Sequence, residues 1–150
     1  MFLTFDTETT GLPKNFNAPV SESENWPRLV QLAWQLNDNN GRLISVNSHI
    51  IKPDGYSIPY NSEKIHGIST EIALKEGKKL GDILKEFEKD LLRSKYIIGH
   101  NIKFDINIVG AEHYRKNFKS SIEDKLKIYT AIIYKSFCNI QWGMAGVLKI

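Results

Sequence analysis

The sequence predicts an α/β domain built on a mixed sheet, and three observations lead there. Strand-like runs at residues 2–5, 29–36 and 43–51 are separated by loop and turn text. Leu80, Ile83, Leu84, Phe87, Leu91 and Leu92 then recur at helical spacing, with lysines and glutamates on the opposite face. Finally, the short apolar run Tyr96-Ile97-Ile98 ends at Gly99-His100-Asn101 and leads into a second helical stripe, Phe104, Ile108 and Ala111. A meander followed by strand–helix units fits a mixed sheet better than a purely parallel one.

Phe2-Leu3-Thr4-Phe5 reads as a strand buried on both faces that delivers Asp6 and Glu8 to its carboxyl end. Residues 10–25 are polar and carry Gly11, Pro13 and Pro19, which makes them a loop. Leu29 to Leu36 and Leu43 to Ile51 form the next two strands. Asp38-Asn39-Asn40-Gly41 turns the chain between them, so they run antiparallel. From Pro59 to Gly77 the pattern is helical in short pieces. Ser62 is expected to cap a turn reaching His66, and Ser69 or Thr70 a helix that Gly77 closes. Asp105 falls near the start of the helix after residue 101, where the macrodipole favours an anion. Residues 114–127 are basic and weakly patterned, and residues 128–137 suit a strand end passing into a helix.

At 150 residues the chain is read as a single domain with a sizeable core. No run of about 18 apolar residues exists, and the amino terminus lacks the regions of a signal peptide, so no membrane partner is expected. The lone Cys138 allows no internal disulfide and fits a cytoplasmic location. A net charge of +3 is compatible with a polyanionic partner, but the scattered lysines do not suggest a protein that coats DNA. Trp26, Trp34 and Trp142 are read as packing residues.

Asp6 and Glu8 lie two apart on a strand and therefore project to the same side. Two carboxylates held together repel, and either a proton or a cation relieves them. Hard oxygen ligands favour Mg²⁺ or Mn²⁺ over zinc. A lone Asp-x-Glu more often caps the following turn, so the wider pattern decides.

That pattern is Phe5-Asp6-Thr7-Glu8-Thr9-Thr10-Gly11, then Lys64-Ile65-His66-Gly67-Ile68, then Gly99-His100-Asn101 with Phe104-Asp105. It resembles the DnaQ-like (DEDDh) 3′–5′ exonucleases, nearest to the proofreading epsilon subunit of bacterial DNA polymerase III, over residues 2 to about 112. The resemblance implies a ribonuclease-H-like fold: a central mixed five-stranded sheet flanked by helices. It implies that Asp6, Glu8 and Asp105 are catalytic and serve two divalent cations, Asp105 largely through water. Two cations about 3.5–4 Å apart activate a water and stabilise a leaving oxygen. Thr9 and Thr10 would hold the terminal nucleotide, Leu12 would wedge against its base, and His66 and Phe104 would contact or stack on it. The implied partners are a single-stranded 3′ end of DNA, with RNA as the alternative, and a replicative DNA polymerase.

The family's third motif is a histidine followed five residues later by an aspartate, which supply the general base and the fourth metal ligand. No histidine follows His113 here and no aspartate follows Asp124. The chain is therefore expected to be a shortened or degenerate copy, weakly active or inactive, with a partial metal site kept at Asp6 and Glu8. Its C-terminal part is expected to be incomplete or rearranged, either exposing apolar surface that drives homodimer formation or covering the gap with residues 130–150. A non-catalytic remnant that binds nucleic acid or a partner is the alternative reading.

Overall fold

A computed structural model describes residues 1–130 of the chain. Five strands form one sheet in the order β3-β2-β1-β4-β5. They are β1 (Phe2–Thr9), β2 (Leu29–Asn37), β3 (Leu43–Ile50), β4 (Tyr96–Gly99) and β5 (Leu126–Tyr129). β1, β2 and β3 pair antiparallel, whereas β4 pairs parallel with both β1 and β5. The helices are α1 (Tyr60–His66), α2 (Thr70–Glu76), α3 (Leu80–Arg93) and α4 (Ile102–Arg115). This is the mixed sheet flanked by helices that the sequence predicts. The rearrangement expected beyond Thr130, and the placement of Cys138 and Trp142, lie outside the described residues.

The core forms where α3 and α4 cover one face of the sheet. Alternation sends Leu3 and Phe5 of β1, and Leu32, Trp34 and Leu36 of β2, into one cluster with Ile83, Leu84, Phe87, Ile106 and Val109. Phe87 meets Phe5 and Trp34 edge-on at 5.3 and 5.5 Å. Buried Asp90 of α3 accepts from Trp34 Nε1 at 3.0 Å and Ser45 Oγ at 2.8 Å, so the acid within the apolar stripe is satisfied. Trp26 and Trp34 are both buried, as packing residues should be. A smaller cluster of Val30, Ile58, Ile68 and Ala73 involves the α1–α2 region.

Two expectations need correction. β1 is not buried on both faces: Leu3, Phe5 and Thr7 are buried, while Phe2, Thr4, Asp6 and Glu8 are only half-buried. The strand is apolar enough for two buried faces, but α3 and α4 pack against one. Ser62 does not cap α1, because the helix begins earlier. Pro59 is its N-cap, with an extended ψ of 143°, and Ser62 is buried inside the helix. Ser69 does cap α2, accepting from the Ile72 amide at 3.1 Å.

Candidate active site

The site begins where β1 outruns its parallel neighbour. Pairing of β1 with β4 ends at Thr4–Ile98, so the main chain of β1 beyond it needs another partner on that side. Asp105 supplies one from the first turn of α4. Its Oδ1 accepts from the Thr7 amide at 3.2 Å and from the Thr7 hydroxyl at 2.7 Å. A carboxylate thus takes the place of a strand at the carboxyl end of the sheet, where open α/β folds keep their sites. The close approach requires Gly99, where a Cβ would stand 2.7 Å from Ile102 Cδ1 and 3.3 Å from the Phe5 carbonyl oxygen.

Asp6 and Glu8 leave the half-buried face of the same strand, with Thr7 between them pointing the other way. Burial first, and then the charge of Asp6, raise Glu8 to about 7. Asp105, only 3% exposed, is also raised to about 7. Burial dominates there, the Thr7 hydroxyl opposes it, and Asp6 adds to the rise. Asp6 thus adds to the rise at both other acids. The three do not form a compact triad: among the described residues, no group of three His, Cys, Asp or Glu side chains is placed to hold a metal ion.

His66 reaches the same end of β1. Gly67 caps α1 in the left-handed conformation, φ 78°, and turns the chain back. The His66 Nδ1 accepts from the Ile68 amide at 3.1 Å, which leaves the ring proton on Nε2. The Thr9 backbone interacts with the ring, and burial lowers its pKa against that contact. Thr9 Oγ1 donates to the Gly11 carbonyl at 2.7 Å. Thr10 Oγ1 accepts from the Arg28 amide at 2.9 Å, which leaves its proton and one lone pair for a ligand. Leu12 is 75% exposed, as a wedge would need to be. Phe104 is half-buried and packs against the main core, so its ring is partly committed there. His100 and Asn101 are exposed.

Sequence reasoning gave no role to Thr7, although it stands inside the first motif. It also missed Arg28, Glu112 and Arg115. Glu112 is fully buried, its Oε1 2.9 Å from Arg28 Nε and 3.0 Å from Arg115 Nη1. The available signal was a glutamate four residues after Ile108, next to the apolar stripe of α4.

The chain belongs to the exonuclease family: the family model for RNase_T, described as Exonuclease, matches residues 3–142. Its fold is that of Exonuclease I from E. coli. The structure of that enzyme in complex with a dA16 oligonucleotide has a TM-score of 0.71 at 20% identity, covering 90% of this chain and 29% of the other. A zinc-bound complex of the same enzyme with single-stranded DNA has a TM-score of 0.72 at 20% identity, covering 95% and 31%. A product-bound exonuclease I gives 0.72 at 20%, covering 95% and 34%. The chain thus spans about a third of the length of these proteins. No curated protein matches it. No helix among the described residues is long and apolar enough to cross a membrane.

Proposed function

We propose that this chain is a 3′–5′ exonuclease domain that removes nucleotides from single-stranded DNA ends with the help of a divalent cation, Mg²⁺ or Mn²⁺. The observation that supports it best is the placement of Asp6 and Glu8 on one face of β1, with Asp105 hydrogen-bonded to Thr7 between them. The fold is shared with an exonuclease solved with oligonucleotides bound. A hard cation fits the donor set, which is all carboxylate oxygen and carries like charges that a cation would relieve. Asp6 and Glu8 would hold it, with Asp105 acting through solvent. The cation, when bound, supplies an activated water and charge neutralisation at phosphorus.

The remaining roles fall to the protein's own groups. Thr7 holds Asp105 in place through two hydrogen bonds to one oxygen. Thr9 and Thr10 form the turn that seats the terminal nucleotide, and Leu12 offers an apolar edge to its base. Neutral His66 borders that turn, its ring held by the Ile68 amide and the Thr9 main chain. Phe104 contributes a ring edge. Stacking of this kind tolerates any sequence and is worth about 1–3 kcal/mol per base.

These 150 residues supply no histidine after His113 and no aspartate after Asp124 to act as base and fourth ligand. Lacking a positioned base lowers the rate by about 10²–10⁴, so slow turnover is expected of them. Mononucleotide release from a single-stranded DNA oligonucleotide in Mn²⁺ tests the assignment. Slow release abolished by Asp6→Ala is the expected result. Binding without release would favour a non-catalytic remnant, and faster release from a matched RNA would favour an exoribonuclease. Rapid release that survives Asp6→Ala would remove the assignment. Proofreading beside a replicative polymerase is the finer reading, tested by co-elution with that polymerase. Homodimer formation is tested by light scattering, where a monomer at high concentration would exclude it.

A further inference from the structure

Helix α4 carries two buried carboxylates about two turns apart, Asp105 and Glu112, which therefore lie on one face. Each accepts a main-chain N–H from a strand of the sheet. Asp105 takes that of Thr7, and Glu112 takes that of Leu29 at 3.0 Å. Glu112 also grips Arg28, its Oε1 2.9 Å from Nε and its Oε2 3.4 Å from Nη2. Arg28 is held further by the Tyr56 ring, 4.3 Å from its guanidinium carbon, and Tyr56 Oη donates to the Leu29 carbonyl at 2.9 Å. Arg115 completes the cluster, pairing with Glu112 while its Nη2 donates to the carbonyls of Trp26 and Ser23.

What makes this more than packing is where Arg28 leads. Its main chain is bound at both ends to Thr10: the Arg28 amide donates to Thr10 Oγ1, and the Thr10 amide donates to the Arg28 carbonyl, each at 2.9 Å. One rigid helix thus sets the carboxylate beside the cation seat at its first turn and the turn of Thr9 and Thr10 two turns later. A forked ion pair with a fully buried carboxylate and a half-buried guanidinium is strongly directional. It suits a task in which the spacing between two parts of a site matters.

We infer that Arg28 is a positioning residue for the nucleotide-holding turn, and that Glu112 anchors it to the helix bearing Asp105. The inference rests on the reading of Thr9 and Thr10 as the seat of a terminal nucleotide. Arg28→Ala is expected to raise KM for a single-stranded dT oligonucleotide about tenfold, with kcat changed less than about threefold. The Mn²⁺ concentration for half-maximal rate should stay the same. Arg28→Lys, which keeps the charge but not the fork, should recover part of the loss. Amide hydrogen exchange should accelerate at least about tenfold at Thr10 and not at Thr7 or along α3.

An unchanged KM in the folded variant would overturn the inference. So would an equal fall in Mn²⁺ affinity or faster exchange throughout the chain, either of which marks a general structural role. Should Arg28→Ala not fold, Arg28→Lys is read by the same criteria. If the unaltered chain neither cleaves nor binds the oligonucleotide, the functional reading fails on its own account. Exchange at Thr10 then decides the anchoring: acceleration confined to residues 9–12 upholds it, and unchanged exchange overturns it.

Discussion

Asp105 and Glu8 are each raised to about 7, by burial first in both cases. In an unfolded chain such groups titrate near 4. Between those values the folded protein binds more protons than the unfolded one, so stability falls as pH rises through this window and levels off above it. The metal-free chain, followed by thermal unfolding in EDTA from pH 4 to 8, should therefore be less stable at pH 8 than at pH 5. Asp105→Asn should flatten that fall. Divalent cation should offset it above pH 7, because binding to the folded form adds stability by mass action. Thr7 acts in the opposite direction, since its hydroxyl favours the charged form of Asp105. Thr7→Val preserves shape and removes that donor, and a hydrogen bond to a charged group is worth about 1.5–3 kcal/mol. The loss should appear in denaturant midpoints at pH 8 and shrink at pH 5, where Asp105 is protonated.

At the scale of elements, close approach explains two glycines differently. At Gly99 a Cβ would meet the Ile102 side chain, 2.7 Å from its Cδ1 and 3.3 Å from its Cβ, and the Phe5 carbonyl oxygen at 3.3 Å. Gly99→Ala should cost about 1–3 kcal/mol, as overpacking does, and push the start of α4 from β1. At Gly77 the nearest atoms are main chain, the Ala73 oxygen at 2.2 Å and the Lys52 nitrogen at 2.6 Å. Gly77→Ala therefore has no side chain to displace and should be the more damaging of the two, which denaturant midpoints would rank. The regular elements were legible in the sequence for simple reasons. α3 carries a full apolar stripe, and β2 and β3 are joined at a turn rich in Asp, Asn and Gly. β5 was harder to see, because Leu126 is exposed and its other residues are only half-buried. The start of α1 was misplaced because an extended Pro59 caps it without any side-chain acceptor to announce the helix.

Over the whole molecule, the first and second motifs could be read as text, but their meeting depends on sheet order. β4 lies beside β1 although residues 10–95 separate them in the chain, and only that neighbourhood brings Asp105 to Thr7. The Arg28–Glu112 pair spans a comparable gap. Neither residue stands in a motif, and long-range ionic contacts leave no periodic trace. Local chemistry was thus visible beforehand, whereas the framework that relates its parts was not.

The Thr7 amide ends the parallel ladder on a carboxylate instead of a carbonyl. Its proton is therefore a built-in indicator. Nuclear magnetic resonance should find that one signal moving with a midpoint near 7 as Asp105 ionises, while amides bonded to carbonyls elsewhere in β1 stay still. If the proposed cation binds beside Asp105, added Mg²⁺ should shift the same peak, so its binding can be followed without a substrate or a turnover.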